Sequence, residues 1–373
     1  MLYLDSSSTT PIAPEVKDAM LPYLMAEFGN PSSKYYTLAE HAKKAVEKSR
    51  YQIATLLGCN ADEIIFTSGA TESNNMILKG IVESYGNSEK NHIITSKVEH
   101  PSVLEVCKYL ETKGFKVTYL DVDQFARIDV KQLESSLDAS VLLVSVMWGN
   151  NELGSLNDMS KIQEICQKYD IFLHTDATQM VGKVDFDLND HQGIKFLSCS
   201  AHKFHGPKGV GVAMLRKDSL GLPTPIAPLL HGGGQENGLR SGTLSVHNIV
   251  GMGKAAELAN IDLKKNIQKL VELEDALCKV LEKKFEDNIV FNNDTKDKIP
   301  GILNIRFVGF NNEILAKKLA PYVAVSTGSA CSSAYPSYVL QASGLSIEEV
   351  RMCIRFSLNY YTTLDALEIF SRL

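Results

Sequence analysis

The chain has 373 residues, 44% hydrophobic and 22% charged, enough to bury a large core and a smaller companion domain. Its formal net charge of -6 and its scattered lysines and arginines argue against nucleic acid as a partner. It opens Met1-Leu2-Tyr3-Leu4-Asp5 without a basic, apolar leader, and its longest strongly apolar run, 141–148, is too short to span a bilayer, so no membrane association and a cytoplasmic location are expected.

From about 63 to 216, short β-branched runs alternate with longer helical periods. Strands are predicted at 64–66, 92–95, 117–120, 142–146, 171–173, 196–198 and 210–214. The pattern predicts an α/β architecture, a mostly parallel sheet of about seven strands wrapped by helices. After the first strand, Ser68-Gly69-Ala70-Thr71-Glu72-Ser73 opens a helix, with Gly69 allowing close approach and the amides of Ala70 and Thr71 turned outward. Such a turn suits a phosphate, and it also serves as an ordinary helix cap. His100 follows the second strand, placed to stack on a ring face, and Asn151 in the Asn150-Asn151-Glu152 turn is placed to bond a ring oxygen or a carboxylate. Asp176 follows 171–173, Gln179 comes three residues later, and Ser200 and His202 flank Lys203.

The Gly/Pro-rich stretch 221–242 breaks the alternation, and a helix over roughly 250–285 leads away from it. Strands at 302–306, 323–325 and 351–357 with a helix near 313–319 predict a smaller α+β unit. The expected division is a large domain over 1–250, with residues 1–15 packing on the small domain, and a small domain over 251–373. The seven cysteines, at 59, 107, 166, 199, 278, 331 and 353, show no paired CxxC spacing, so neither a disulfide framework nor a zinc site is indicated.

Asp176 and Lys203 carry the strongest chemical signal. A lysine that forms a Schiff base with a carbonyl cofactor needs a strand end in a mostly dry site. A carboxylate must keep the pyridine nitrogen protonated so that the ring accepts carbanion electrons. Both residues follow apolar runs that end where open α/β sheets bind ligands. Alone, each reads as a capping aspartate or a surface lysine; with the phosphate-type turn at Gly69 they point to pyridoxal 5'-phosphate.

The segments 68–75, Glu99-His100, Asn150-Asn151-Glu152, 176–179, 200–209, Gly232-Gly233-Gly234-Gln235-Glu236, Arg240-Ser241-Gly242-Thr243 and Gly328-Ser329-Ala330-Cys331-Ser332-Ser333 occur in an order that resembles the cysteine desulfurases, the NifS- and IscS-like members of the class V aminotransferase family. The match runs from Tyr3-Leu4-Asp5 to Arg355-Phe356-Ser357-Leu358. The resemblance implies a fold-type-I transferase, pyridoxal 5'-phosphate as cofactor, a homodimer with active sites at the subunit interface, and conversion of L-cysteine to L-alanine with the sulfur held as a persulfide. By position it implies that Lys203 holds the cofactor, Asp176 faces its pyridine nitrogen, and His100 stacks on the ring. It makes Ala70, Thr71, Gln179, Ser200 and His202 cofactor contacts, and Thr243 a contact to the phosphate of the other subunit.

Cys331 separates a desulfurase from a transaminase, because the reaction needs a thiolate that reaches the substrate sulfur and leaves carrying it. Arg355 is expected to grip the substrate carboxylate with its planar fork. The chain departs from the family pattern at Tyr36 and Ala39, where a histidine and a glycine are usual, and at Asn237, where an arginine is usual. It stops sooner after Arg355 than its relatives, which leaves the sulfur acceptor, an iron–sulfur scaffold or a tRNA-thiolation protein, open. A selenocysteine lyase would use the same residues, a class V transaminase would not need Cys331, and a non-catalytic interaction subunit would not need Lys203.

Overall fold

The computed structural model describes residues 1–372 except 88, 219 and 329–334. Strand β1 (Leu2–Tyr3) precedes two helices, α1 (Pro14–Met25) and α2 (Thr37–Leu57). Proline opens α1, where its missing N–H would be unpaired anyway. β2 (Ile64–Thr67) leads into α3 (Ala70–Tyr85), β3 (His92–Ser96) into α4 (Pro101–Glu111), β4 (Lys116–Leu120) into α5 (Val130–Ser135), and β5 (Val141–Ser145) into α6 (Met159–Lys168). β6 (Phe172–Asp176), β7 (Phe196–Ser200) and β8 (Gly211–Leu215) complete a seven-stranded sheet of order β2-β8-β7-β6-β5-β3-β4. Every pairing is parallel except the two made by β8. The strands β2, β3, β5, β7 and β8 are buried throughout, which is why they read as continuous apolar runs instead of alternating ones.

The 40-residue helix α7 (Val246–Phe285) begins a few residues before the expected start. Its first half buries Ile249, Met252, Ala255 and Ala256 against the large-sheet core, and its second half buries Leu270, Leu273, Leu277 and Leu281 in a separate cluster. That second cluster belongs to β9 (Ile289–Phe291), β10 (Ile302–Phe307), β11 (Val323–Ala324) and β12 (Cys353–Ser357), with α8 (Asn312–Leu319) between β10 and β11. β12, β10 and β9 form an antiparallel sheet, while β1 pairs in parallel with β11. The first residues of the chain are therefore tied to its last third.

Because β6 and β7 are parallel neighbours, Asp176, the last residue of β6, and Lys203, three residues past the end of β7, emerge side by side. β3 and β5 run the same way, and β2 does too, being antiparallel to β8, which is antiparallel to β7. The turns carrying Ala70, His100 and Asn151 thus share one carboxyl edge.

Gly253 of α7 lies where α2 crosses it, and a Cβ there would sit 2.7 Å from the Ser49 Cα. An exposed Gly→Ala change in a helix typically gains about 1 kcal/mol. Here backbone must move, so Gly253→Ala is expected to destabilise by roughly 1–3 kcal/mol, seen as a lower midpoint in chemical denaturation. A rise in stability would contradict the close crossing.

Candidate active site

A cavity of about 390 Å³ opens at the carboxyl edge. Ala70, Thr71, His100, Asn151, Asp176, Gln179, Ser200, His202, Lys203 and Arg355 all line it. Two expected residues are not among them. Thr243 is exposed on the surface of the chain, and Cys331 lies outside the described residues.

Asp176 forms the floor. Its Oδ1 accepts the Thr178 amide at 3.0 Å and its Oδ2 accepts from Asn74 Nδ2 at 2.8 Å. Asn74 also donates to Ser102 Oγ at 2.8 Å, and Ser102 Oγ lies 2.8 Å from His100 Nδ1. The aspartate and the ring-stacking candidate are thereby fixed to one another through α3 and the first turn of α4. Burial is the main influence lowering the His100 pKa, partly opposed by the Asp176 charge and assisted by that of Lys203, so the imidazole is neutral near pH 7. Burial also pushes His202 down to about 4, helped by the charges of Lys203, Lys208 and Lys183.

The opposite wall comes from the amino-terminal segment. Lys203 Nζ donates to the carbonyl oxygens of Ser7 at 2.6 Å and Ser8 at 2.8 Å. Arg355 is 1% exposed; its Nη1 donates to the Asn151 carbonyl at 2.9 Å and its Nη2 to Asp5 Oδ1 at 2.8 Å and Ser8 Oγ at 3.1 Å. Arg355 Nε is buried without a hydrogen-bond partner, an orphaned donor suited to an incoming anion.

At the other end Gly69 adopts φ +155° and opens α3 without a side-chain cap, which leaves the first-turn amides turned to the cavity. Gly211 of β8 passes so close that a Cβ on it would lie 2.6 Å from the Gly69 Cα. Glu72 braces the same turn, its carboxylate accepting the Ser68 amide at 2.9 Å and Arg240 Nε at 2.7 Å. Asn74, Ser7, Ser8 and the Glu72–Arg240 pair were not singled out in the sequence. Asn74 is four residues beyond Ala70 on the same helical face, a signal that was there to use. Nothing local marks Ser7 and Ser8, which reach the site only through long-range pairing.

A family model described as aminotransferase class-V matches residues 2–370, and the chain belongs to that family. It is 44% identical over 369 residues to the cysteine desulfurase IscS of Dictyoglomus turgidum, covering 98% of this chain and 91% of that protein. Among solved structures it is similar to a NifS-like protein, with a TM-score of 0.91 and 36% identity over 100% of this chain and 97% of that one. It is similar also to SspA in complex with cysteine, with a TM-score of 0.85 and 35% identity over 97% of this chain and 100% of that one.

The cofactor of this family, pyridoxal 5'-phosphate, fits the residues present. The uncapped turn at Gly69 with Ser200 and His202 nearby suits its phosphate, and Lys203 is within the cavity for its aldehyde carbon. Asp176 supplies an anion for the pyridine nitrogen, and Thr178 Oγ1 is a buried hydroxyl without a partner beside it. No group of three His, Cys, Asp or Glu side chains among the described residues could hold a metal ion. No helix among them is long and apolar enough to cross a membrane.

Glu99, next to His100, is fully buried, with Oε1 accepting Ser96 Oγ at 2.7 Å and the Met147 amide at 2.8 Å. Burial raises its carboxyl to about 8 against those two bonds, with the Asp176 charge adding to the rise. A folded state that keeps this proton binds more protons than the unfolded chain from the usual carboxylate range up to about 8, so stability falls as pH rises through that window. Glu99→Gln, always neutral, is expected to flatten the fall of Tm across the window. A slope equal to that of the unsubstituted protein would show Glu99 to be ionised throughout.

Proposed function

We infer that this chain is a pyridoxal 5'-phosphate-dependent cysteine desulfurase that converts L-cysteine to L-alanine and holds the sulfur on Cys331 as a persulfide. The observation that carries the reading is the convergence of Asp176 and Lys203 from adjacent parallel strands onto one cavity, with the buried guanidinium of Arg355 on its wall.

When bound, the cofactor supplies an electron sink for bonds broken at the substrate's α carbon. The chain supplies everything else. Asp176, fixed by Asn74 and the Thr178 amide, keeps its negative charge aimed at the cavity floor. The Ala70 and Thr71 amides with Ser200 and His202 hold the phosphate end, and Gln179 offers an amide to the ring edge. Arg355 receives the amino-acid carboxylate, which places the substrate between Asn151 and the Ser7–Ser8 turn. Lys203, released when substrate takes its place, has a nitrogen suited to moving a proton at the substrate's α carbon. The Cys331 thiolate then attacks the substrate sulfur; the new S–S bond forms as the Cβ–S bond breaks, and a proton replaces sulfur on the β carbon. Substrate and thiol together thus yield alanine and a persulfide, with no external oxidant or reductant.

Exposed Thr243 favours a homodimer in which each subunit adds a hydroxyl to its partner's phosphate site. The sulfur acceptor would be an iron–sulfur scaffold or a tRNA-thiolation protein, and the working compartment the cytoplasm. Selenocysteine lyase chemistry would draw on the same groups. A transaminase would not need Cys331.

Lys203→Ala is expected to abolish alanine formation and the visible absorbance of the bound cofactor. Cys331→Ser should keep the fold and the absorbance and still change its spectrum on adding cysteine, yet form almost no alanine, because a serine hydroxyl is not an effective nucleophile at neutral pH. Mass spectrometry of the unsubstituted protein after exposure to cysteine should find one extra sulfur on Cys331. Alanine formed by Cys331→Ser at the full rate would move the transaminase reading ahead.

A further inference from the structure

Beneath the cavity lies a second lysine that the reaction outlined above does not use. Lys183 follows Gly182, whose φ of +74° and lack of a side chain let the turn approach Phe204; a Cβ on Gly182 would lie 2.8 Å from the Phe204 Cβ. The turn after β6 is thus pressed against the residue that follows Lys203. Lys183 is half-buried as a residue, but its amine is enclosed by protein and donates to Gln179 Oε1 at 3.0 Å. Gln179 Nε2 in turn donates to the Ser7 carbonyl at 2.9 Å, the same oxygen that accepts Lys203 Nζ at 2.6 Å. A cavity of about 20 Å³, room for about one water molecule, has Lys183 and Lys203 together on its walls.

We propose that Lys183 is a positioning residue for the cofactor site, fixing the Gln179 amide with its donor end toward Ser7 and the cavity and placing a second positive charge beneath Lys203. This rests on the desulfurase reading and extends it to a residue outside the cavity wall. Below about pH 7, where Lys183 is an ammonium with only donors, Gln179 must turn its oxygen to it. Its NH₂ group then faces the other way, with one hydrogen on Ser7 and the second left for the ring edge. Were Lys183 apolar, either orientation of the amide would be open.

The charge has its own consequence. Burial lowers the Lys183 amine to about 7, and the positive charges of Lys203 and Arg355 add to the fall. His202 and His205 also sense Lys183, Tyr360 shares the wall of the small cavity, and Asp5 is held by Arg355. Below about pH 7, where Lys183 carries its proton, a cation beneath Lys203 disfavours protonation of the Lys203 nitrogen.

The test is a pH titration of the visible absorbance of the cofactor-loaded protein, beside its Tm, for the unsubstituted chain, Lys183→Met and Lys183→Arg. Lys183→Met removes charge and donors at similar length, and its spectral midpoint is expected to move up by roughly one pH unit. Lys183→Arg keeps both, so its midpoint should stay at or below that of the unsubstituted protein. Lys183→Gln makes the same comparison if Lys183→Met does not fold. A lower Tm with an unmoved midpoint in the neutral variants would overturn the proposal and leave the desulfurase reading standing. Absence of a visible cofactor band in the unsubstituted protein would overturn both.

Discussion

The parallel pairing of β6 with β7 is the constraint on which the site depends. Residues 174–176 align with 196–198, so β6 ends at Asp176 while β7 runs two residues further to Ser200, and both deliver their following turns, with Asp176 and Lys203, to the same edge. A one-residue slip would turn one set of side chains to the opposite face of the sheet. Both strands are buried between helices, and the cost of exposing residues such as Leu173, Phe196 and Leu197 holds the register. The geometry of the chemistry is therefore secured by apolar packing that never touches the reactants.

The second tie is the segment from Leu4 to Thr10. Leu4 donates its amide to Ala324 and the Ser6 amide bonds Ser357, while farther along the Thr10 amide bonds the carbonyl of His202. A single segment, turning at 6–8, thus joins the small sheet to the turn bearing Lys203. Between those ends it places Asp5 on Arg355, Ser8 on both Arg355 and Lys203, and Ser7 on both Gln179 and Lys203. The substrate-binding guanidinium and the cofactor lysine come from distant parts of the chain, and these few backbone carbonyls and hydroxyls set their spacing. Loosening the segment would disturb both at once.

Much of this was legible in the sequence because it is local. Seven apolar runs with turn residues between them specify the sheet, and the motifs fall at strand ends, so ten expected site residues meet in one cavity. What sequence could not supply is long-range. β1 is two residues long and has no periodicity to read; it exists because β11 offers an edge. β9 is short and partly exposed, and its Ile289-Val290-Phe291 run is hard to tell from the end of α7. Asn74 and Lys183 look like ordinary helix and turn residues until Asp176 and Gln179 are placed beside them. Asn237, where an arginine is usual, has a local reason that only backbone geometry discloses. It sits at φ +57°, a conformation that asparagine tolerates better than most residues.

The charges around the cavity are unevenly distributed. Lys183, Lys203, Lys208 and Arg355 cluster near it, against Asp176 on the floor, Asp5 held by Arg355 and Glu72 held by Arg240. Such an excess of cations in a partly dry cleft opposes folding, since each ion loses water without gaining a full counter-ion. The excess becomes favourable when anions arrive, and the ligands inferred for this site bring a phosphate and a carboxylate. Asp176 in the same cleft has two direct donors of its own, Asn74 and the Thr178 amide. Asp176 is thus tied to α3 and α4 through Asn74, while Lys203 and Arg355 are tied to the amino-terminal segment by a separate set of hydrogen bonds.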